Sequence, residues 1–450
     1  MSAKSNSQSK GGSNAVAIIA MFFLFAMISF VTNLAAPIGT IWGYQFEGNS
    51  FLGMLGNMMN FLAYLFMGIP AGKIITRIGY KKTALWAIGI GIVGLFVQWC
   101  SGLGAVGIGM FIIYLIGAFI CGFCVCMLNT VTNPMLNMLG GGGNRGNQLL
   151  QAGGACNSLA GTVTPFFVGA LIGQLSKESH IGNVSPLLWI AIGIFVVAFI
   201  VISIVRIPEP TLNKSGVTPV YTHSPWSFRH TVLGVCAIFM YVGIEVGIPS
   251  TLNFYLADQG SNGAGVIGEA SIIAGAIVSV YWFLMLVGRT LSSAISGKVS
   301  SRAQLLSVSG CAIILVIAAI LTPKEVTFNV PSFIYTGRMG EVAQVPMSAL
   351  FLVLCGLCTS VMWGGIFNLA VEGLGKYTAQ ASGIFMMMVV GGGVIPLIQQ
   401  LFAGSIGYMS SYWLIVACLG FIFFYAVAGC INVNKDIDVS YEEELKEELV

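Results

Sequence analysis

Charge is what this sequence has least of. Only 8 % of its 450 residues are Asp, Glu, Lys or Arg, against 56 % hydrophobic, and the mean hydropathy is +0.90. A water-soluble globule of that length could not clothe itself with so few polar groups, so lipid is the solvent this composition fits. Alternating ten-residue strands are missing too, which excludes a membrane barrel and leaves helices as the spanning element. Metal-ligand spacing is absent: His180, His223 and His230 fall in loops or at the edge of an apolar run. There is no nucleophile triad, and the glycine run Gly140 to Gly143, followed by Asn144 and Arg145, lacks the Lys-Ser/Thr of a phosphate loop and reads as a hinge. No cofactor, no metal and no enzymatic activity are expected. The eleven cysteines, including Cys121, Cys124 and Cys126, sit inside apolar runs without polar neighbours and read as reduced packing residues. The net charge of +3 is therefore no sign of a nucleic-acid partner.

What is present is a long series of apolar stretches of roughly 20 residues, each sufficient to cross about 30 Å of hydrocarbon as a helix. Twelve spans are expected, near 15–37, 51–71, 83–101, 107–136, 148–173, 186–205, 231–256, 270–292, 303–321, 347–371, 379–403 and 411–432. The first follows Lys4 and Lys10 without a small-residue cleavage site, and is expected to remain as an anchor. With the N-terminus cytoplasmic, only Lys177, Lys324 and Arg338 of the 19 basic residues fall outside, so an inner-membrane topology with both termini inside is expected.

The one long polar interruption within the membrane portion is Arg206 to His230. It suggests a first six-helix half over 1–205, a cytoplasmic linker over 206–230, a second half over 231–432 and an acidic, solvated, partly helical tail over 433–450. Three matches relate the halves. GKIITR (72–77) after span two answers GKVSSR (297–302) after span eight. Pro165 and Gly173 in span five have the spacing of Pro396 and Gly404 in span eleven. Asn33 precedes Pro37 by four residues, as Glu245 precedes Pro249. Repeated bundles meeting on an axis along the membrane normal would hold a ligand between them near mid-membrane and expose it to each side by rocking.

A charge at mid-membrane costs about 2.5–3.5 kcal/mol on insertion scales, so each polar residue there calls for a reason. Glu245 is the one acid well inside a span, about 21 Å from the inner boundary by helical rise. It reads either as a proton carrier or as a carboxyl that permanently pins two helices. Arg289, ~30 Å along span eight by the same rise, is expected at the cytoplasmic edge, bound to carbonyl ends or a loop acid rather than to Glu245. That leaves no deep cation to greet an anionic substrate. Amides are plentiful instead: Asn33, Asn129, Asn133, Asn157, Asn253 and Asn368 each offer a donor and an acceptor, which suits hydroxyls, or each ties helices together. Trp282 and Trp363 could stack on the apolar face of a sugar ring.

Gly72 to Lys82, GKIITRIGYKK, resembles the G-x-L-a-D-R-x-G-R-K loop of the major facilitator superfamily, with Arg77, Gly79 and Lys81 in place and Thr76 where the acid stands. PAGKIITRIGYKKTAL, YVGIEVGIPS, WFLMLVGRTLSSAISGKVSSR, EGLGKYTAQASG and GGGVIPLIQQLFAGSIG, with TNP and NSL in spans four and five, are similar to the fucose/glucose/galactose group of sugar:proton symporters. The resemblance implies an all-α membrane protein with the major facilitator fold, twelve helices in two pseudo-symmetric halves. It implies transport of a hexose, deoxyhexose or acetamido sugar by a monomer in the bilayer, with a proton as coupling ion. It also implies a role in the cytoplasmic gate for the loop residues Gly72, Arg77, Gly79 and Lys81, to which the position of Arg289 by rise and the repeat match of Lys298 and Arg302 add those three. The group typically carries an Asp in span one and a Glu in span four, and the matching positions here are Asn33 and Asn129, which cannot release a proton. Coupling then falls to Glu245, or the protein is an uncoupled facilitator, a sodium-coupled carrier or an exporter. A non-transporting sensor is a further reading, and it lacks an appended signalling domain.

Overall fold

A computed structural model of the chain describes residues 3–46, 50–104, 107–172, 181–209, 221–258, 260, 262–266, 270–331 and 342–439. Lys177, His180, Gly173, Arg338, the centre of the linker and residues 440–450 lie outside these. The helices are α1 (Ala3–Gln45), α2 (Ser50–Ile78), α3 (Tyr80–Cys100), α4 (Ile108–Leu139), α5 (Gly143–Ile172), α6 (Ser185–Ile204), α7 (Arg229–Ala257), α8 (Ala270–Ile295), α9 (Ser301–Leu321), α10 (Met347–Ala370), α11 (Thr378–Met387), α12 (Gly391–Ile406), α13 (Tyr408–Ser411) and α14 (Trp413–Phe424). A 3-10 turn joins α11 to α12, which together make the eleventh crossing, and a π-helical turn, Tyr425–Gly429, extends α14.

Eleven of the crossings among the described residues are long and apolar enough to span a bilayer. The remaining crossing in chain order is α5, which opens on Asn144, Arg145, Asn147, Gln148 and Gln151 and is correspondingly less apolar. The chain is a multi-pass membrane protein. One feature absent from the sequence reading is a hairpin after α9, β1 (Thr327–Val330) against β2 (Ala343–Pro346), antiparallel with Thr327 opposite Pro346. Its four-residue strands are too short to leave a periodic signal.

By contact the chain divides into two compact units. The first comprises residues Met1–Val232, Val371–Val389 and Asn432–Val450. Here α3 and α4 meet backbone to backbone: a Cβ at Gly94 would lie 2.8 Å from the amide nitrogen of Cys121, and one at Gly117 2.7 Å from that of Gln98. In lipid, dispersion between closely approaching backbones substitutes for hydrophobic exclusion. The seam between α2 and α11 is built the same way, since a Cβ at Gly68 would fall 2.4 Å from the Met387 nitrogen and 2.6 Å from the Gly383 carbonyl.

The second unit comprises residues Leu233–Ala370 and Val390–Ile431. Gly288 of α8 admits the Ser360 hydroxyl of α10, and Gly356 of α10 admits the Tyr281 carbonyl of α8. Gly243 of α7 seats Ile395 of α12.

Prolines inside the spans strip a carbonyl four residues earlier of its helical donor, and each unit supplies a substitute. Pro134 frees the Thr130 carbonyl in α4, which accepts from the Ser382 hydroxyl of α11 at 3.2 Å. Pro249 frees the Glu245 carbonyl in α7, toward which the Tyr281 hydroxyl of α8 donates at 3.4 Å.

The carboxy-terminal residues Asp436 to Val439 depart from the solvated tail expected of an acidic segment. Ile437 and Val439 pack onto Phe228, Leu374, Tyr377 and Ala381. A turn at Lys435 and Asp436 brings the chain back, so that the half-buried Ile437 and Val439 face this cluster while Asp436 and Asp438 stay exposed.

Candidate functional site

In the first unit the polar residues line two helix seams. Along α1 and α5, Asn157 Nδ2 donates to the Phe25 carbonyl at 3.1 Å, and Gly161, one turn on, lies under Ser29 and Asn33. Phe25, Ser29 and Asn33 recur every fourth residue, so they form one stripe of α1. Asn33 is exposed, with its Nδ2 donating to the Ser29 carbonyl at 2.8 Å. Between α2 and α4, the buried Asn129 donates to the Tyr64 hydroxyl at 2.8 Å. Asn133 is fully buried and turns its amide back to the Asn129 carbonyl at 2.8 Å.

The second unit holds the charge. Arg289 of α8 meets Glu245 of α7 at 3.0 Å, their side chains 11 % and 16 % exposed. This corrects the expectation that Arg289 lies at the cytoplasmic edge, away from Glu245 and bound to carbonyl ends. Counting rise along each axis ignored the tilt of side chains toward a helix's own N-terminus. Successive crossings run in opposite directions, so Glu245 and Arg289 lean toward one another, and the long arginine stem closes the remaining distance. An ion pair removes the penalty of an isolated charge and leaves the site neutral.

Tyrosines frame the pair. The Tyr241 hydroxyl lies beside both Glu245 and Arg289, although its geometry falls short of a full hydrogen bond. Tyr281 bridges the Glu245 carbonyl and the Thr359 hydroxyl of α10, the latter at 3.0 Å. Trp363 lies against Tyr241 with ring centroids 6.1 Å apart, and Trp282 stands edge-on to Tyr281 at 5.4 Å. Trp282 is 42 % exposed, and Asn253, farther along α7, is half-buried. Asn368 lies apart from this group: it is buried and donates to the Ser301 hydroxyl of α9 at 2.8 Å.

The expected gate residues divide by role. Gly72 packs under the Ala379 carbonyl and Gly383 of α11. Gly79, at φ 85°, turns the chain from α2 into α3 through the left-handed region that glycine enters freely. Arg77 and Lys298 are exposed. Lys81 Nζ donates to the Ser203 and Val205 carbonyls at the end of α6, at 2.7 and 2.8 Å. Arg302 does the same for the Ala426 and Val427 carbonyls beyond α14. In each unit, therefore, a cation at the start of the third crossing closes the C-terminus of the sixth, where orphan carbonyls and the helix dipole favour positive charge.

Sequence reasoning missed Glu209. Its carboxylate accepts from the Tyr80 and Lys81 amides at 2.7 and 2.8 Å, filling the N-terminus of α3. It brings to this loop the acid that Thr76 lacks. Burial raises its carboxyl above the ordinary range, opposed by those amides and by Lys82 and Lys81. The available signal was a single acid between Pro208 and Pro210, directly after span six.

Among known proteins, the chain is 28 % identical over 432 residues to the glucose/galactose transporter of Brucella abortus, covering 95 % of this chain and 96 % of that one. It is 22 % identical to the L-fucose-proton symporter of Escherichia coli, with 91 % of each covered. The crystal structure of the transporter FucP in its outward conformation superposes with a TM-score of 0.76 at 18 % identity, covering 92 % of this chain and 99 % of that one. The sequence profile of the Major Facilitator Superfamily matches residues 17–396. With that match spanning most of its length and the helical architecture above, the chain belongs to the Major Facilitator Superfamily of transporters rather than to any class of enzyme.

Proposed function

We propose that the protein is a secondary active transporter of a small neutral sugar, a hexose, deoxyhexose or acetamido sugar. It works by alternating access across the inner membrane, with both termini cytoplasmic, and couples to protons through Glu245. The observation that carries this reading is the Glu245–Arg289 pair at 3.0 Å, together with end-to-end similarity to sugar transporters. Arg289 is already neutralised by Glu245, so it does not present a free cation to an anionic cargo. The amides Asn33, Asn129 and Asn157 offer uncharged donors and acceptors suited to hydroxyls.

In this pair Glu245 faces Arg289 as its counter-charge. Loading a proton on Glu245 removes the attraction and leaves Arg289 to the neighbouring tyrosine hydroxyls, so the α7–α8 contact has two arrangements that differ by one proton. Substrate and proton would then bias the same equilibrium, which is what symport requires. Glu245→Gln is expected to abolish proton-driven accumulation in proteoliposomes while exchange between loaded vesicles survives. Equal loss of both would overturn the coupling role. A panel of labelled sugars, with proton or sodium gradients imposed in turn, identifies the substrate.

An uncoupled facilitator is the second reading, favoured by Asn33 and Asn129 standing where the family carries carboxylates. It predicts transport unaffected by collapse of the proton gradient, with the ion pair serving only to pin α7 to α8.

A further inference from the structure

Three stretches far apart in sequence converge in the first unit on one small core. Phe228 closes the linker, Leu374, Tyr377 and Ala381 open the eleventh crossing, and all four are fully buried. Tyr221 of the linker and Ile437 and Val439 of the carboxy-terminal segment pack over them. A polar frame holds the segment in register. The Lys376 amide donates to the Val439 carbonyl at 3.1 Å, and Lys376 Nζ lies 3.5 Å from Asp438 Oδ2. The Arg229 amide donates to Asn434 Oδ1 at 3.0 Å, and the His223 amide to the Tyr377 hydroxyl at 3.3 Å. At Gly375, φ 46°, a Cβ would come within 2.1 Å of the Val439 carbonyl, so the segment rests directly on the backbone there.

This contact bears on the seam described above. Immediately beyond the clasped turn, Ala379, Gly383 and Met387 of α11 lie against Gly68 and Gly72 of α2. The entry turn of α11 is thus tied to the linker and the tail within one turn of its contact with α2. The tie is also light: two partly buried apolar side chains, one ion pair with Asp438 45 % exposed, and a few backbone hydrogen bonds. Contacts of this kind open locally without global unfolding.

We propose that Asn432 to Val439 is a cytoplasmic clasp that holds the start of the eleventh crossing against α2, and that its release controls opening of the transporter to the cytoplasm. The inference rests on membership of the transporter superfamily and not on the identity of the cargo.

The test compares the intact protein with Ile437→Ser/Val439→Ser, in lipid nanodiscs, by amide hydrogen exchange. Exchange in α11 and the facing turns of α2 is expected to rise on the order of tenfold, with α3 and α4 unchanged. A second readout uses Ala379→Cys, labelled in inside-out vesicles by a membrane-impermeant maleimide and followed by mass spectrometry of the peptide holding residue 379. Labelling is expected to be several-fold faster once the clasp is disrupted. Exchange in α11 and labelling at 379 that both stay at the intact level, while the carboxy-terminal amides exchange freely, would overturn the proposal. Should the double variant also lose protection in α3 and α4, the milder Val439→Thr is read by the same two outcomes.

Discussion

The two units solve the problem of polarity in lipid differently. In the first, Asn129, Asn133 and Asn157 are neutral and donate to a tyrosine hydroxyl or a backbone carbonyl. In the second, an acid and a base neutralise each other between α7 and α8 within a frame of tyrosines. A neutral amide in apolar surroundings needs only a partner, which its own or the next helix readily supplies. A charge needs an opposite charge, and breaking the pair strands one of them. Hydrogen-bonding capacity can therefore be spread along helix seams, whereas ionisable chemistry is concentrated at one contact.

The sharpest way to break this contrast is to unpair the charge. Arg289→Gln is expected to destabilise the protein by about 3–5 kcal/mol, read as a large fall in thermal unfolding midpoint, because Glu245 is left uncompensated. Glu245→Gln/Arg289→Gln should recover most of that loss, since two neutral amides can pair; a double variant no more stable than Arg289→Gln would show that the ion pair is not what holds α7 to α8. Replacing Gly94 by Val should cost about 1–3 kcal/mol by forcing α3 from α4, measured in the same way. Tyr64→Phe, which removes the acceptor of Asn129, is expected to cost ~1 kcal/mol, and a fall as large as that of Arg289→Gln would erase the distinction between the units.

The smallest effect concerns Glu209, outside the membrane. Burial raises its folded pKa above the unfolded value of 4.5, so its contribution to stability is complete below that value and declines as pH rises through the folded pKa. The midpoint of the wild-type protein relative to Glu209→Gln should accordingly fall as pH rises above 4.5; a gap that widens with rising pH would mean that the amides and lysines outweigh burial.

Much of this was legible in the residues. Among the described residues, eleven of the twelve expected runs are crossings apolar enough to span a bilayer and the fifth is the more polar α5. The loops GKIITR and GKVSSR flank the starts of α3 and α9, although the residue that shares the role of Arg302 is Lys81 and not its repeat match, the exposed Arg77. Glu245 stood out because no other acid lies so deep in a span. Arg289 was misplaced because linear rise measures where a Cα sits along one axis, not where a long side chain ends. Asn368 looked like a candidate ligand contact, and only the position of α9 gives it Ser301 as a partner. Glu209 went unnoticed because its partners are backbone amides more than a hundred residues away, which no side-chain pattern can announce.

Composition and apolar periodicity by themselves determined that this chain crosses a membrane as helices, how often, and which few polar residues must be answered for, because transfer to hydrocarbon is an additive property of each segment taken alone. Tertiary structure alone decided which partners answer them: Arg289 for Glu245, Tyr64 for Asn129, Ser382 for the carbonyl freed by Pro134, and Ile437 with Val439 for the entry of the eleventh crossing. The reason is range. Burial in lipid is felt across some twenty consecutive residues, whereas a hydrogen bond or ion pair acts over about 3 Å and depends on helices that the sequence leaves far apart.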